Sequence, residues 1–298
     1  MNHESLMQRC LELAEKGRGQ VGINPLVGAV LVHGDQIISE AWHEEYGKAH
    51  AELVLIQKTE QKISTEDVLY INLEPCCHRG KTPPCTRAII ANGIRTVVYG
   101  MQDPNPAVSG RGIATLRASG INVIGPVLPM LCRRFNRGFV SLQEQGRPFV
   151  TLKQARTRDG RTSDDGKPMK ITSDEQDAWS HEWLRSKHDA ILVGVDTVIA
   201  DDPQLTNRYS DHQPLRIVLD PKGRMPADAK LADGAMVITK KDIPYAKGNF
   251  NLQKLLKMLS TPRDDFNGIA SILVEGGAKT WESFQNAGFV DEEVILTT

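Results

Sequence analysis

The sequence predicts an α/β protein of two domains, and three observations carry that expectation. Short runs rich in Val, Ile and Leu alternate with stretches whose apolar residues recur at helical spacing, the pattern of strands flanked by helices. A polar joint marked by Gly and Pro, Gln145-Gly146-Arg147-Pro148, interrupts that alternation midway. A chain of 298 residues is also long enough to bury two separate cores. The expected division is residues 1–147 and 148–298.

Composition narrows the function classes. The chain is 40% hydrophobic and 24% charged, with a formal net charge of -1. It therefore lacks the basic excess of a nucleic-acid binder. No apolar run approaches the roughly 18 residues of a membrane span, and Met1-Asn2-His3-Glu4-Ser5 does not open a signal peptide. Five cysteines (Cys10, Cys76, Cys77, Cys85 and Cys132) are an odd number without disulfide-framework spacing. Reduced thiols, a metal site and a cytoplasmic location are the expectation.

In the first half, Leu6, Met7, Cys10, Leu11 and Ala14 mark a core-facing helix that stops at Gly17, with Cys10 as a small buried hydrophobe. Asn24 to Val30 leads into a strand, and a turn at His33-Gly34-Asp35 returns the chain through Gln36 to Ala41 as a hairpin. A helix carrying His50 and running through Leu53 to Ile56 comes next, followed by a strand over Val68 to Asn72. Pro83-Pro84 opens a helix at Cys85 that Gly93 closes. A strand over Thr96 to Gly100, a turn at Asp103-Pro104-Asn105-Pro106, a helix after Gly110 and a strand over Asn122 to Val127 follow. One helix through Arg133, Phe135 and Val140 completes a three-layer α/β/α arrangement.

The chemistry is concentrated in His50-Ala51-Glu52 and in the stretch from Leu73 through Glu74-Pro75-Cys76-Cys77-His78 to Cys85. One His and two Cys beside helix starts offer Zn²⁺ three ligands and leave a fourth tetrahedral position for water, as catalytic zinc requires. A thiolate at a helix start is further favoured by the helix dipole. Glu52, two residues past His50, lies too far round a helix to share its direction and suits proton handling better than ligation. His-x-Glu followed by Pro-Cys and a later Cys is the signature of zinc deaminases acting on amino-heterocycles. Nucleobase deaminases place two residues between the cysteines, whereas eight separate Cys76 from Cys85. Gly80-Lys81-Thr82 is no nucleotide-triphosphatase loop, because the upstream Gly is missing. On residue types alone, Asp103 and Asn105 form a Pro-assisted turn, and Lys81 is a solvated charge.

In the second half, Phe149 to Lys153 is a strand, and Ser173-Asp174-Glu175-Gln176 is a capping box for a helix through Trp179, Trp183 and Leu184. Strands are expected at Ala190 to Gly194, Arg216 to Asp220, Met236 to Thr239 and Ile269 to Val274. Gly276-Gly277 between the last of these and a helix with Trp281 and Phe284 lets backbone approach an anion, although a Gly pair alone is also an ordinary tight turn.

The insert Gly80-Lys81-Thr82-Pro83-Pro84-Cys85, together with Gly194-Val195-Asp196-Thr197-Val198 and Asp201-Asp202-Pro203, resembles the bacterial bifunctional riboflavin-biosynthesis deaminase/reductase family. The resemblance covers nearly the whole chain. It implies a cytidine-deaminase-like N-terminal domain and a dihydrofolate-reductase-like C-terminal domain. It implies Zn²⁺ on His50, Cys76 and Cys85 with Glu52 as proton shuttle, and a pyrimidine ribosyl phosphate bound by Asn24, His43, Lys81, Thr82, Asp103 and Asn105. NADPH is implied at Ala155, Lys170, Thr197, Asp201 and the turn Gly277, Ala278, Lys279, Thr280. The reductase substrate is implied at Pro168, Arg185, Leu205, Arg208 and Glu275. Pro168 and Lys170 stand where the family commonly has Ser and Trp. The sequence stops at Val294 to Thr298, inside an expected mid-sheet strand, so the reductase domain reads as incomplete at its C-terminus. The implied partner is a small molecule rather than nucleic acid or membrane, with homo-oligomerisation left open. Competing readings are a deaminase with an inactive reductase-like half, a nucleobase or tRNA deaminase, and a structural zinc module using Cys77 or His78 as fourth ligand.

Overall fold

The computed structural model describes residues 2–78, 83–161 and 171–297. The chain divides into two compact units, Met1–Gly146 and Arg147–Thr298.

The first unit runs α1 (His3–Glu15), β1 (Gly28–His33), β2 (Gln36–Trp42), α2 (Ala51–Lys58), β3 (Val68–Leu73), α3 (Cys85–Ala91), β4 (Thr96–Met101), α4 (Arg111–Ala118), β5 (Asn122–Ile124), α5 (Pro129–Phe135) and α6 (Arg137–Gln145). Its sheet has the order β2-β1-β3-β4-β5. The β1 strand is antiparallel to β2 and β3, while β3, β4 and β5 are parallel. The start of β1 thus lies beside the carboxyl end of β3, which brings the segment preceding β1 to the edge where β3 and β4 release their loops. Burial explains the strands: Val30, Leu31, Leu69, Ile71, Val97 and Val98 are almost wholly enclosed by helices.

Two expected elements are shorter than their sequence pattern. The last strand ends at Ile124, because Gly125-Pro126 follows and Pro has no N–H for the ladder. The single helix through Arg133 and Val140 is two helices meeting at Asn136, whose side chain turns to another task. Its Oδ1 accepts from Leu26 N at 2.8 Å and its Nδ2 donates to Leu26 O at 3.0 Å.

The second unit contains β6 (Phe149–Arg156), α7 (Asp174–Trp183), β7 (Ala190–Gly194), α8 (Val195–Asp201), β8 (Leu215–Leu219), β9 (Met236–Ile238), a small hairpin of β10 (Tyr245–Ala246) and β11 (Asn249–Phe250), α9 (Leu252–Ser260), β12 (Ser271–Val274), α10 (Ala278–Asn286) and β13 (Glu292–Thr297). Its main sheet, β13-β6-β12-β7-β8-β9, is parallel throughout, so every strand ends at one edge. Alternate residues enter opposite cores: Ala190 and Leu192 pack on one face, Ile191 and Val193 on the other. Among the described residues, the segment around Val294 forms β13 at one end of this sheet, paired with β6. The capping box at Ser173 is present, with Gln176 reciprocating. The hairpin and α9 have no counterpart in the sequence reading. Leu252, Leu255, Leu256 and Leu259 nevertheless recur at helical spacing behind the N-cap Asn251, and all four are buried.

Candidate active site

In the first unit, three candidate ligands converge from separate elements. Cys76 follows the Glu74-Pro75 turn after β3, and Cys85 is the first residue of α3. His50 is the N-cap of α2, extended at φ -71° and ψ 159°, not a residue within the helix. One ligand atom from each of the three lies within 4.8 Å of the other two. His50 Nδ1 is 3.3 Å from Cys85 Sγ and 3.6 Å from Cys76 Sγ, and the Cys85 N–H donates to Cys76 Sγ at 3.4 Å. A hydrogen bond from the Cys85 thiol, with His50 behind it, lowers the Cys76 pKa to about 4. The same contact pushes Cys85 upward, so one thiolate, at Cys76, is the favoured state.

The expectation that Glu52 points away from His50 is corrected by that extended N-cap. Helical angles do not relate the two side chains, and both reach one cavity of about 320 Å³. Glu52 is 3% exposed, and burial raises its carboxyl to about 7. Asn24, His43, Asp103 and Asn105 line the same cavity. Nδ1 of His43 donates to Ala49 O at 3.0 Å, which leaves Nε2 to accept from Asn24 Nδ2 at 3.0 Å. Burial keeps this imidazole neutral by lowering its pKa. The amide of Asn24 is therefore oriented, and its Oδ1 remains an acceptor for a ligand. Asp103 accepts from Asn105 N at 2.8 Å, and burial lifts its carboxyl to about 6. Two asparagines fix the segment bearing Asn24: Asn136 holds Leu26, while Asn72 accepts from Gly28 N at 2.8 Å and donates to Leu26 O at 3.0 Å. Glu74, which has no role of its own in the sequence pattern, is a further buried cavity wall. Lys81 and Thr82 lie outside the described residues.

In the second unit, the turns after β7 and β12 meet. A Cβ at Gly194 would come 2.9 Å from Thr280 Oγ1, and one at Gly277 would come 3.3 Å from Thr197 Oγ1. Gly277 sits at φ 44° and ψ 143°, and no side chain caps α10 there. Lys279 and Thr280 line a cavity of about 330 Å³, joined by Gly194, Lys222, Arg224 and Tyr245. Thr197, Gly277, Ala278, Ala155 and Asp201 are not among its walls: Ala155 pairs with Leu296 in the sheet, and Asp201 is exposed in the last turn of α8. Arg185 and Glu275 form a bidentate ion pair with both bonds at 2.7 Å. Burial alone would raise Glu275, but the Arg185 charge and hydrogen bonds outweigh it and hold the carboxyl at about 2. Arg185 Nη1 also donates to Thr206 O at 3.1 Å and faces His181 Nε2 at 3.3 Å. Leu205 is buried in a left-handed conformation, φ 50°, while Arg208 is exposed. Pro168 and Lys170 lie outside the described residues.

Residues 148–298 match the RibD C-terminal domain, and residues 1–101 match the cytidine and deoxycytidylate deaminase zinc-binding region. The riboflavin biosynthesis protein RibD of Aquifex aeolicus is 40% identical over 98% of this chain and 86% of its own length. The Escherichia coli protein is 34% identical over 99% of this chain and 87% of its own. The chain belongs to the RibD family. A RibD structure from Acinetobacter baumannii, 33% identical, superposes with a TM-score of 0.82 over 99% of this chain and 86% of that one. A Thermotoga maritima deaminase/reductase, 38% identical, reaches 0.81 over 96% and 84%.

RibD proteins join a zinc-binding deaminase to an NADPH-dependent reductase, and the donor sets here fit both groups. Two sulfurs and an imidazole nitrogen, gathered within 4.8 Å and with the Cys76 thiol pKa lowered by its neighbours, match Zn²⁺ in number and kind. The α10 start at Gly277, with no side-chain cap and with Lys279 and Thr280 lining the adjoining cavity, matches a nucleotide phosphate. No helix among the described residues is long and apolar enough to cross a membrane.

Proposed function

We propose that the first unit hydrolytically removes the 2-amino group of 2,5-diamino-6-ribosylamino-4(3H)-pyrimidinone 5′-phosphate, and that the second reduces the ribosyl chain of the product to ribityl. The observation that carries the first step is the His50, Cys76 and Cys85 cluster, two of whose members, His50 and Cys76, line one cavity with the buried Glu52. Zinc held by those three residues would lower the pKa of water and supply hydroxide near neutral pH. Glu52, whose burial keeps its proton affinity close to neutrality, takes the proton from water and returns it to the ring nitrogen and the departing ammonia. Asn24 Oδ1, fixed by His43, accepts from a donor on the pyrimidine edge, and Asp103 and Asn105 bound the same ring. Lys81 and Thr82 are assigned to the 5′-phosphate on the family resemblance alone.

In the second unit, NADPH would supply hydride to C1′. The Gly277, Ala278, Lys279, Thr280 turn and Thr197 hold the nucleotide, and Ala155, Lys170 and Asp201 complete its contacts by resemblance. Four of the five guanidinium hydrogens of Arg185 are directed at Glu275, Thr206 and His181, which leaves one on Nη2 for the ribosylamino substrate. Leu205, Arg208 and Pro168 surround that substrate by the same resemblance. The test is product identification after incubating the zinc-loaded chain with the pyrimidinone phosphate, with and without NADPH. Ammonia and the deaminated ribosylamino-uracil phosphate are expected without NADPH, and the ribityl product with it. Unchanged substrate in both arms refutes the reading.

A further inference from the structure

Glu74 has no role in the steps above, yet it is 2% exposed and two residues from Cys76. Its backbone N–H continues the β3–β4 ladder to Met101 O at 2.9 Å, which turns the side chain toward the loop leaving β4. Each carboxylate oxygen there accepts two backbone N–H groups. Oε2 takes Asp103 N at 3.2 Å and Gly110 N at 2.9 Å; Oε1 takes Gly112 N at 2.9 Å and Ile113 N at 3.2 Å.

Those four donors bracket the loop that enters the cavity. Asp103 opens it and Gly110 closes it, both on one oxygen, while Gly112 and Ile113 belong to the first turn of α4. The N-cap of α4, Gly110, has no side chain to cap with, so Glu74 supplies that acceptor from across the fold. An independent feature of the backbone shows how closely the two segments are docked. A Cβ on Gly112 would lie 2.0 Å from Pro75 O, so only Gly lets α4 approach the turn that carries Cys76. Between the pinned ends the loop is braced by bonds of its own: Asn105 N donates to Asp103 Oδ1 at 2.8 Å and Ala107 N to Asn105 Oδ1 at 2.9 Å. Glu74 thus ties both ends of this braced loop to the strand end that leads into Cys76.

We infer that Glu74 is a positioning residue for deamination, holding Asp103 and Asn105 at a set distance from the metal-binding residues through the backbone of residues 103–113. This rests on the proposed deaminase reading, in which Asp103 and Asn105 bound the pyrimidine. A carboxylate suits the task because it accepts on both oxygens, whereas an amide would turn its NH₂ against two of the four N–H groups.

The test compares Glu74→Gln and Glu74→Asp with the unaltered chain, measuring zinc by elemental analysis and steady-state ammonia release from the pyrimidinone phosphate. The unaltered chain must deaminate; its failure would remove the underlying reading and is seen separately from any effect of the variants. With deamination established, Glu74→Gln is expected to keep about one zinc per chain while kcat/KM falls roughly 10²-fold, mainly through KM, as a misplaced binding group does. Glu74→Asp keeps the charge but withdraws it by one methylene, and should fall between. Unchanged KM in both variants overturns the inference. Loss of zinc in step with activity in both does so too, because the carboxylate would then be supporting the metal end rather than the loop.

Discussion

Replacing Arg185 with Leu should destabilise the second unit by about 3 kcal/mol near neutral pH, and the deficit should shrink in acid. The pair it breaks is enclosed, with the Arg and Glu side chains 16% and 6% exposed. Arg185 holds Glu275 at about 2 against an ordinary 4.5. At about 1.4 kcal/mol for each tenfold in proton affinity, that difference is worth about 3 kcal/mol of folding free energy. The figure agrees with the roughly 3–5 kcal/mol lost when one partner of a buried pair is removed. Because the folded pKa lies below the unfolded one, the contribution is complete above about pH 5. It drains away as pH falls toward 2, with more than half gone by about pH 3. In Arg185→Leu the carboxyl stays buried without its partner, so its pKa rises and acid relieves the strain instead. The two stability curves should converge on acidification. Urea unfolding followed by tryptophan fluorescence suits the measurement, since Trp179, Trp183 and Trp281 lie in the second unit and only Trp42 in the first. A deficit below about 1 kcal/mol at neutral pH, or one of constant size down to about pH 3, would refute the assignment of the energy to this pair.

Elemental analysis of Cys85→Ser should show zinc lost, while Cys77→Ser keeps about one per chain; the opposite pattern would reassign the ligand. Glu52→Gln should retain zinc but slow ammonia release by at least ~10²-fold, and near-normal release would dismiss it as the proton carrier. Gly277→Val adds a branched side chain at φ 44° and presses on Thr197, so KM for NADPH should rise about tenfold with deamination unaltered. An unaffected KM for NADPH would place the nucleotide elsewhere.

Much of this molecule is legible locally. Alternating periodicities mark most strands and helices, the reciprocal Ser173 and Gln176 mark the start of α7, and the His33-Gly34-Asp35 turn marks the first hairpin. The ligand types His50, Cys76 and Cys85 are likewise read from their chemistry and their places beside helix starts. These features depend on residues within a few positions of one another, which is the range over which backbone geometry and side-chain entropy act on sequence pattern. Failures at short range were failures of detail: α9 carries a clear leucine period, and the break at Asn136 follows from a side chain needed at Leu26.

What only the tertiary structure decided are partnerships across long separations. The donors to Glu74 lie 29 to 39 residues away, and the Arg185 and Glu275 partners are 90 apart. Glu52 and His50 share a cavity because an extended N-cap cancels the helical angle between them. A carboxylate in a sequence shows its charge but not its acceptors, since those are set by which strand end lies beside which loop. That adjacency comes from the pairing of β3 with β4, and of β12 with β7, through buried apolar side chains that specify a register without naming the polar groups it will bring together.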